Sequence, residues 1–97
     1  MSTQVDVVAH FRALPGKEVE LRAVLESFAG PTRLEEGCIR YDLFADNEDP
    51  LKFTFIEEWV SLETLLKHGQ SAHINAGRAK FPELTESRWV QKLTRVL

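Results

Sequence analysis

From Leu51 to Val60, apolar and polar residues alternate in the way a β-strand would sort onto two faces. One face carries Leu51, Phe53, Phe55, Glu57 and Trp59, the other Lys52, Thr54, Ile56, Glu58 and Val60. The first face is aromatic and apolar apart from one carboxylate. A carboxylate buried bare is costly, so it must be paired, hydrogen-bonded or protonated. Glu57 is therefore expected either to meet a buried partner or to face a cavity that admits something polar. The cavity is the working expectation.

The same period of two from Val5 to Leu14 predicts the first strand, with Val5, Val7, Ala9, Phe11 and Ala13 on one face. Pro15-Gly16 breaks it. Leu21, Val24, Leu25 and Phe28 then recur at i, i+3, i+4 and i+7, the stripe of an amphipathic helix. Gly30-Pro31 is expected to end or kink that helix, because proline lacks an amide donor and clashes with the preceding turn. One more turn follows through Leu34 before Gly37. Cys38 to Asp46 predicts a second strand, with Ile39, Tyr41, Leu43 and Ala45 on one face and Arg40, Asp42 and Phe44 on the other. The polar stretch Asp46-Asn47-Glu48-Asp49-Pro50 is short enough to make 38–46 and 51–60 a hairpin. Tyr41 and Glu57 then come near each other in a register the sequence leaves open.

Ser61 is a good N-cap for a short helix whose inward stripe is Leu62, Leu65, Leu66 and Gly69. Ser71 caps a second, running to about Phe81 and stopped by Pro82. Ile74, Gly77 and Phe81 mark its inward side, and Gly77 would allow close backbone approach. Arg88 to Leu97 reads as the last strand, with Trp89, Leu93 and Leu97 on one face and Val90 and Val96 on the other. The order β-α-β-β-α(α)-β predicts an α+β, ferredoxin-like sandwich: a four-stranded antiparallel sheet with helices on one face, residues 1–97 forming one domain. The opposite sheet face would hold Val8, Leu14, Phe44, Ile56, Val60, Val90 and Val96 among charges, too apolar for a fully wetted surface. A symmetric homodimer with its two sheets face to face is the expectation, with His10 at the contact.

Composition narrows the function classes. At 43% hydrophobic and 28% charged the chain is ordinary for a globular protein. A net charge of −3 speaks against a nucleic-acid surface. No apolar run approaches a bilayer span, and Met1-Ser2-Thr3-Gln4-Val5-Asp6 lacks the basic and apolar parts of a secretory leader, so the expected location is cytoplasmic with no membrane partner. The single cysteine, Cys38, forms no internal disulfide and reads as a small buried hydrophobe. GxGxxG, GxxxxGK[ST] and GxSxG are all absent.

The candidate chemistry lies around Glu57. His68 and His73 flank the inward stripes of the two short helices and follow Trp59 closely, so one pocket between sheet and helices would hold Trp59, Glu57, Tyr41 and one or both histidines. Histidine near its ordinary pKa is the natural acceptor of a proton from an acidic phenol or a carbon acid. Each residue also has a plainer reading: a histidine at a helix edge as a solvated cap, Trp59 as core, Tyr41 as core with its hydroxyl at the rim. A metal site is not expected. Two histidines five residues apart on one continuous helix diverge by about 140°, unlike an i, i+4 pair, and no third ligand stands at recognisable spacing.

Pro15-Gly16-Lys17-Glu18, the run from Pro31 to Leu43 with its Gly37-Cys38-Ile39-Arg40-Tyr41, Asp49-Pro50, Phe53 to Trp59 with Glu57-Glu58-Trp59, His68 and Ser71-Ala72-His73 together resemble the antibiotic biosynthesis monooxygenase domain family. The resemblance covers almost the whole chain. It implies a ferredoxin-like fold that dimerises through its sheets into an α/β barrel, with a pocket in each subunit. It also implies oxidation of a small phenolic or quinol-type aromatic by O₂ without metal, flavin or haem, the substrate anion supplying the electrons. In those terms His68 or His73 removes the substrate proton and Glu57 orients the substrate. Trp59, Tyr41, Phe53 and Phe55 hold the ring. Two further readings use the same pocket: an isomerase of a small carbonyl compound, and a non-catalytic dimer that binds a small ligand.

Overall fold

The computed structural model describes residues 3–97; Met1 and Ser2, part of the stretch read for a leader, lie outside the described residues. The chain runs β1 (Val5–Ala13), α1 (Glu18–Arg33), β2 (Cys38–Ala45), β3 (Lys52–Trp59), α2 (Leu62–Gly69), α3 (Ala72–Arg78), α4 (Phe81–Leu84) and β4 (Thr85–Leu93). The four strands form one antiparallel sheet in the order β2-β3-β1-β4. This is the expected ferredoxin-like arrangement, with β3 and β1 central. Val7, Ala9, Phe11 and Ala13 of β1 and Phe53, Phe55, Glu57 and Trp59 of β3 are buried against the helices.

Four local expectations are corrected. First, Gly30-Pro31 does not end α1, which runs on to Arg33 through the further turn expected as far as Leu34. Its buried stripe Leu21, Leu25, Phe28 is extended by a fully buried Thr32, so packing outweighs the local penalty of Pro31. Second, β2 pairs Cys38 with Trp59 but Arg40 with Glu58, leaving Ile39 as the extra residue of a bulge. Ile39 is thus turned outward while Cys38 and Tyr41 pack inward. Third, the inward stripe of α2 is Thr64, Leu65 and His68, with Leu62 and Leu66 about half exposed. Fourth, Pro82 does not terminate the second short helix. That helix has already ended at Arg78, and Pro82 sits in the first turn of α4, where a missing amide costs nothing.

The last strand also lies elsewhere than expected. It spans Thr85–Leu93, and 94–97 follow it without regular structure. Its register sets Val90 opposite Ala9, on the helix side, so Val90 does not belong to the open face. Val96 and Leu97 lie beyond the strand and are exposed. On the open face Val8 stands between Ile56 and Gln91, with Phe44, Trp89 and Leu93 each partly exposed. His10 stacks on Trp89 there, ring centroids 4.5 Å apart.

Two glycines set how closely the helices pack on their neighbours. Gly37 has φ +85° and lies against the Thr64 side chain, where no Cβ would fit. Gly77 lets α3 settle against the Phe28 ring of α1, as its position in the sequence suggested.

Candidate functional site

The strand registers place Tyr41, Glu57, Val7 and Lys92 side by side across the sheet on its helix-facing side. Tyr41 is directly opposite Glu57, which settles the register the sequence left open. A cavity of about 440 Å³ lies between this row and the helices. Tyr41, Phe55, Glu57, His68, Ile74 and Phe81 form much of its wall. Its size suits a ligand of one to three rings.

Glu57 is 4% exposed, and its Oε1 accepts a hydrogen bond from Trp59 Nε1 at 2.9 Å. Burial pushes its carboxyl up to about 7, against the smaller opposing pull of the indole donor. His68 projects from α2 between the Tyr41 and Trp59 rings, centroids 5.4 and 4.7 Å away. Its Nδ1 lies 2.8 Å from Glu35 Oε1. Burial lowers its pKa more than Glu35 restores it. The ring is accordingly neutral at pH 7, and its Nε2 has no protein hydrogen-bond partner among the described residues. Tyr41 stacks on Phe55 at 4.5 Å between centroids. Burial, then the charge of Glu57, hold its phenol well above the ordinary value, so it stays protonated.

The remaining predicted residues occupy other positions. His73 is on α3 with Nε2 2.8 Å from Thr32 Oγ1 and 3.4 Å from Glu35 Oε1, behind His68 rather than at the cavity wall. Trp59 and Phe53 are buried in the core and do not line the cavity; Trp59 acts on it through Glu57. The structure thus brings Tyr41, Phe55, Glu57 and His68 to one cavity and sets His73, Trp59 and Phe53 behind it.

Sequence reasoning missed Thr32 and Glu35. Thr32 was detectable, since it continues the Leu21-Leu25-Phe28 stripe once the helix is allowed through Pro31. Glu35 sits in the turn after α1 and carries no such signal. With it, a donor set of two imidazoles and a carboxylate exists after all: ligand atoms of Glu35, His68 and His73 lie within 4.8 Å of one another. The break between α2 and α3 brings the two imidazoles together, replacing the divergence expected on one continuous helix. These three side chains could hold a small cation. As they stand His68 is hydrogen-bonded to Glu35 and His73 to Thr32, which accounts for the arrangement without one.

The model of the family described as "Antibiotic biosynthesis monooxygenase" matches residues 5–80. This chain belongs to that family. A Mycobacterium tuberculosis relative, Rv0793, provisionally named a monooxygenase, is 36% identical over 84 residues, covering 87% of this chain and 82% of its own. Its solved structure has a TM-score of 0.90 at 33% identity, covering 97% of this chain and 96% of that one. PA3566 from Pseudomonas aeruginosa is similar over 100% of this chain and 98% of its own, with a TM-score of 0.95 and 30% identity. SO0527 from Shewanella oneidensis has a TM-score of 0.93 at 33% identity, over 98% and 93% of the two chains. Among the described residues no helix is long and apolar enough to cross a membrane.

Proposed function

We propose that this protein is a monooxygenase that oxidises a small phenolic or quinol-type aromatic with O₂, using no bound redox group. The observation that carries this reading is a neutral imidazole and a carboxyl raised to about 7 facing one aromatic-walled cavity. Neighbouring titratable groups in one cavity, each moved by burial away from its ordinary pKa, mark a candidate acid–base pair.

His68 takes the phenolic proton, and Glu35 steadies its ring through Nδ1. The resulting electron-rich anion gives one electron to O₂, and the radical pair recombines at a ring carbon bearing hydrogen. The peroxide so formed loses water to leave a quinone carbonyl. One oxygen atom ends in the product and the other in water, so phenol plus O₂ balances quinone plus water. Protonated Glu57 donates a hydrogen bond to the oxygen on which charge develops. Tyr41 and Phe55 stack against the ring.

Oxygen uptake with a panel of quinols and anthrones tests the reading. Uptake that falls at least about tenfold in His68→Ala supports it, that being the low end for loss of a general base. Uptake no greater than in that variant overturns it. The same acid–base pair also suits isomerisation of a small carbonyl compound, since a proton acceptor and donor on one cavity suffice for enolisation. Turnover under strict anaerobiosis would decide for that alternative.

We further propose that the open sheet face pairs with a second copy, because Val8, Ile56, Phe44, Trp89 and Leu93 make it apolar beside its ion pairs. A monomer mass by light scattering at micromolar concentration would refute this pairing.

A further inference from the structure

The cavity has a second chemical character at its mouth. On the helix side of β4, Arg88, Val90 and Lys92 all line it yet remain exposed, so the cavity opens there. Arg78 of α3 also lines it. Elsewhere on the protein Arg12, Arg22, Arg33 and Arg40 each lie against a carboxylate. Neither Arg78 nor Arg88 has a carboxylate within ion-pair distance among the described residues.

Both guanidiniums are nevertheless held. Arg78 donates from Nη1 to Asn75 Oδ1 at 2.6 Å and from Nη2 to the Gly69 carbonyl at 2.9 Å, two neutral acceptors. Arg88 lies over the Phe81 ring, 5.1 Å from its centroid, and Phe81 is itself cavity wall. A guanidinium fixed by neutral groups keeps its charge uncompensated and aimed, which favours planar anions. Lys92 shares the cross-strand row of Glu57, with Val7 between them. Two strand spacings put their backbones about 10 Å apart, the length of a fused two-ring aromatic.

We propose that the substrate carries an anionic oxygen group, such as a carboxylate or a sulfonate- or phosphate-like ester, on the end of the aromatic remote from its reacting hydroxyl. Arg78, Arg88 and Lys92 bind that group while the hydroxyl reaches Glu57 and His68. The inference rests on the monooxygenase reading only for the orientation of the ring, and its test reads binding rather than turnover.

The probes are 6-hydroxy-2-naphthoate, 6-hydroxynaphthalene-2-sulfonate and the uncharged 2-naphthol, titrated calorimetrically without O₂. The anionic probes are expected to bind about tenfold or more tighter than 2-naphthol, the scale of one or two charge-assisted hydrogen bonds. In Arg88→Gln, and more so in Arg78→Gln/Arg88→Gln, that advantage falls to within about threefold while 2-naphthol binding is unchanged. Raising salt reduces it in the parent protein alone. Tighter naphthoate than sulfonate binding would assign a carboxylate, and the reverse a tetrahedral oxyanion. Equal binding of charged and uncharged probes, no binding of either, or an equal loss of both in folded variants overturns the proposal. Oxygen uptake with an uncharged quinol tests the reaction separately, so the two readings fail independently.

Discussion

The indole N–H of Trp59 donates to Glu57 Oε1 across 2.9 Å, two residues back along β3 on its buried face. That bond supplies the acid with one donor but does not offset its burial, so the carboxyl stands at about 7 instead of its ordinary 4.5. Below pH 4.5 it is neutral folded and unfolded and costs nothing. Between 4.5 and about 7 only the unfolded chain ionises, so stability falls as pH rises, then levels off. The cost at pH 8 is on the order of 3 kcal/mol, from 1.4 kcal/mol per unit. Glu57→Gln keeps an acceptor for Trp59 and removes the charge. Urea denaturation is expected to show it more stable than the parent at pH 8, by up to about 3 kcal/mol, and equal at pH 4. An equal effect at both values would refute the buried-charge account.

Activity should carry the same signature. His68 must be neutral to accept a proton, and its burial places that condition below the ordinary histidine value. Glu57 must be protonated to donate, which fails as pH rises through about 7. A bell in kcat/KM is expected, with its alkaline limb near 7 and its acid limb below 6.5. In Glu57→Gln the alkaline limb disappears while the acid limb stays. A limb that persists unmoved in that variant belongs to another group.

Glu35 is a positioning residue rather than a proton carrier toward substrate. It raises the pKa of His68 against the effect of burial. Glu35→Gln therefore moves the acid limb to lower pH and lowers kcat by about tenfold or more, because the ring loses its charged anchor. NMR titration of the His68 ring gives the same shift directly. A fall in kcat with the limb unmoved would reduce Glu35 to a structural role.

The parts of this site that were legible are those written as period-two alternation. Glu57 among Phe53, Phe55 and Trp59 announced a cavity or a partner, and the structure supplies both: the cavity and the indole. What escaped was set by tertiary packing. Ile39 is displaced by a bulge that no composition signals, and α1 passes Pro31 because Thr32 has a buried seat waiting. His68 looked like a flank of α2 because Leu62 and Leu66 are the more apolar residues. Yet Gly37 admits Thr64 to the interior, and that rotation carries His68 inward with it. Arg88 and Lys92 fall within the expected last strand but share the face of Val90, which the sequence pattern puts on the open side, so they were not readable as cavity residues.

The same substitution at two glycines should have opposite signs. Gly77 lies in the last turn of α3 with the Phe28 ring edge where its Cβ would stand, and Val24 close behind. Phe28 is 3% exposed and wedged near Phe55 and Phe81, so it cannot swing aside. Gly77→Ala must then lift α3 from α1, at a cost of about 1–3 kcal/mol for overpacking. Gly69, the last residue of α2, has nothing within 4 Å of its Cβ position and no left-handed backbone to relieve. There alanine only restricts the unfolded chain and should stabilise by about 0.5 kcal/mol. Thermal unfolding of both variants decides the matter: a Gly77→Ala protein as stable as the parent would mean that α3 does not seat on Phe28.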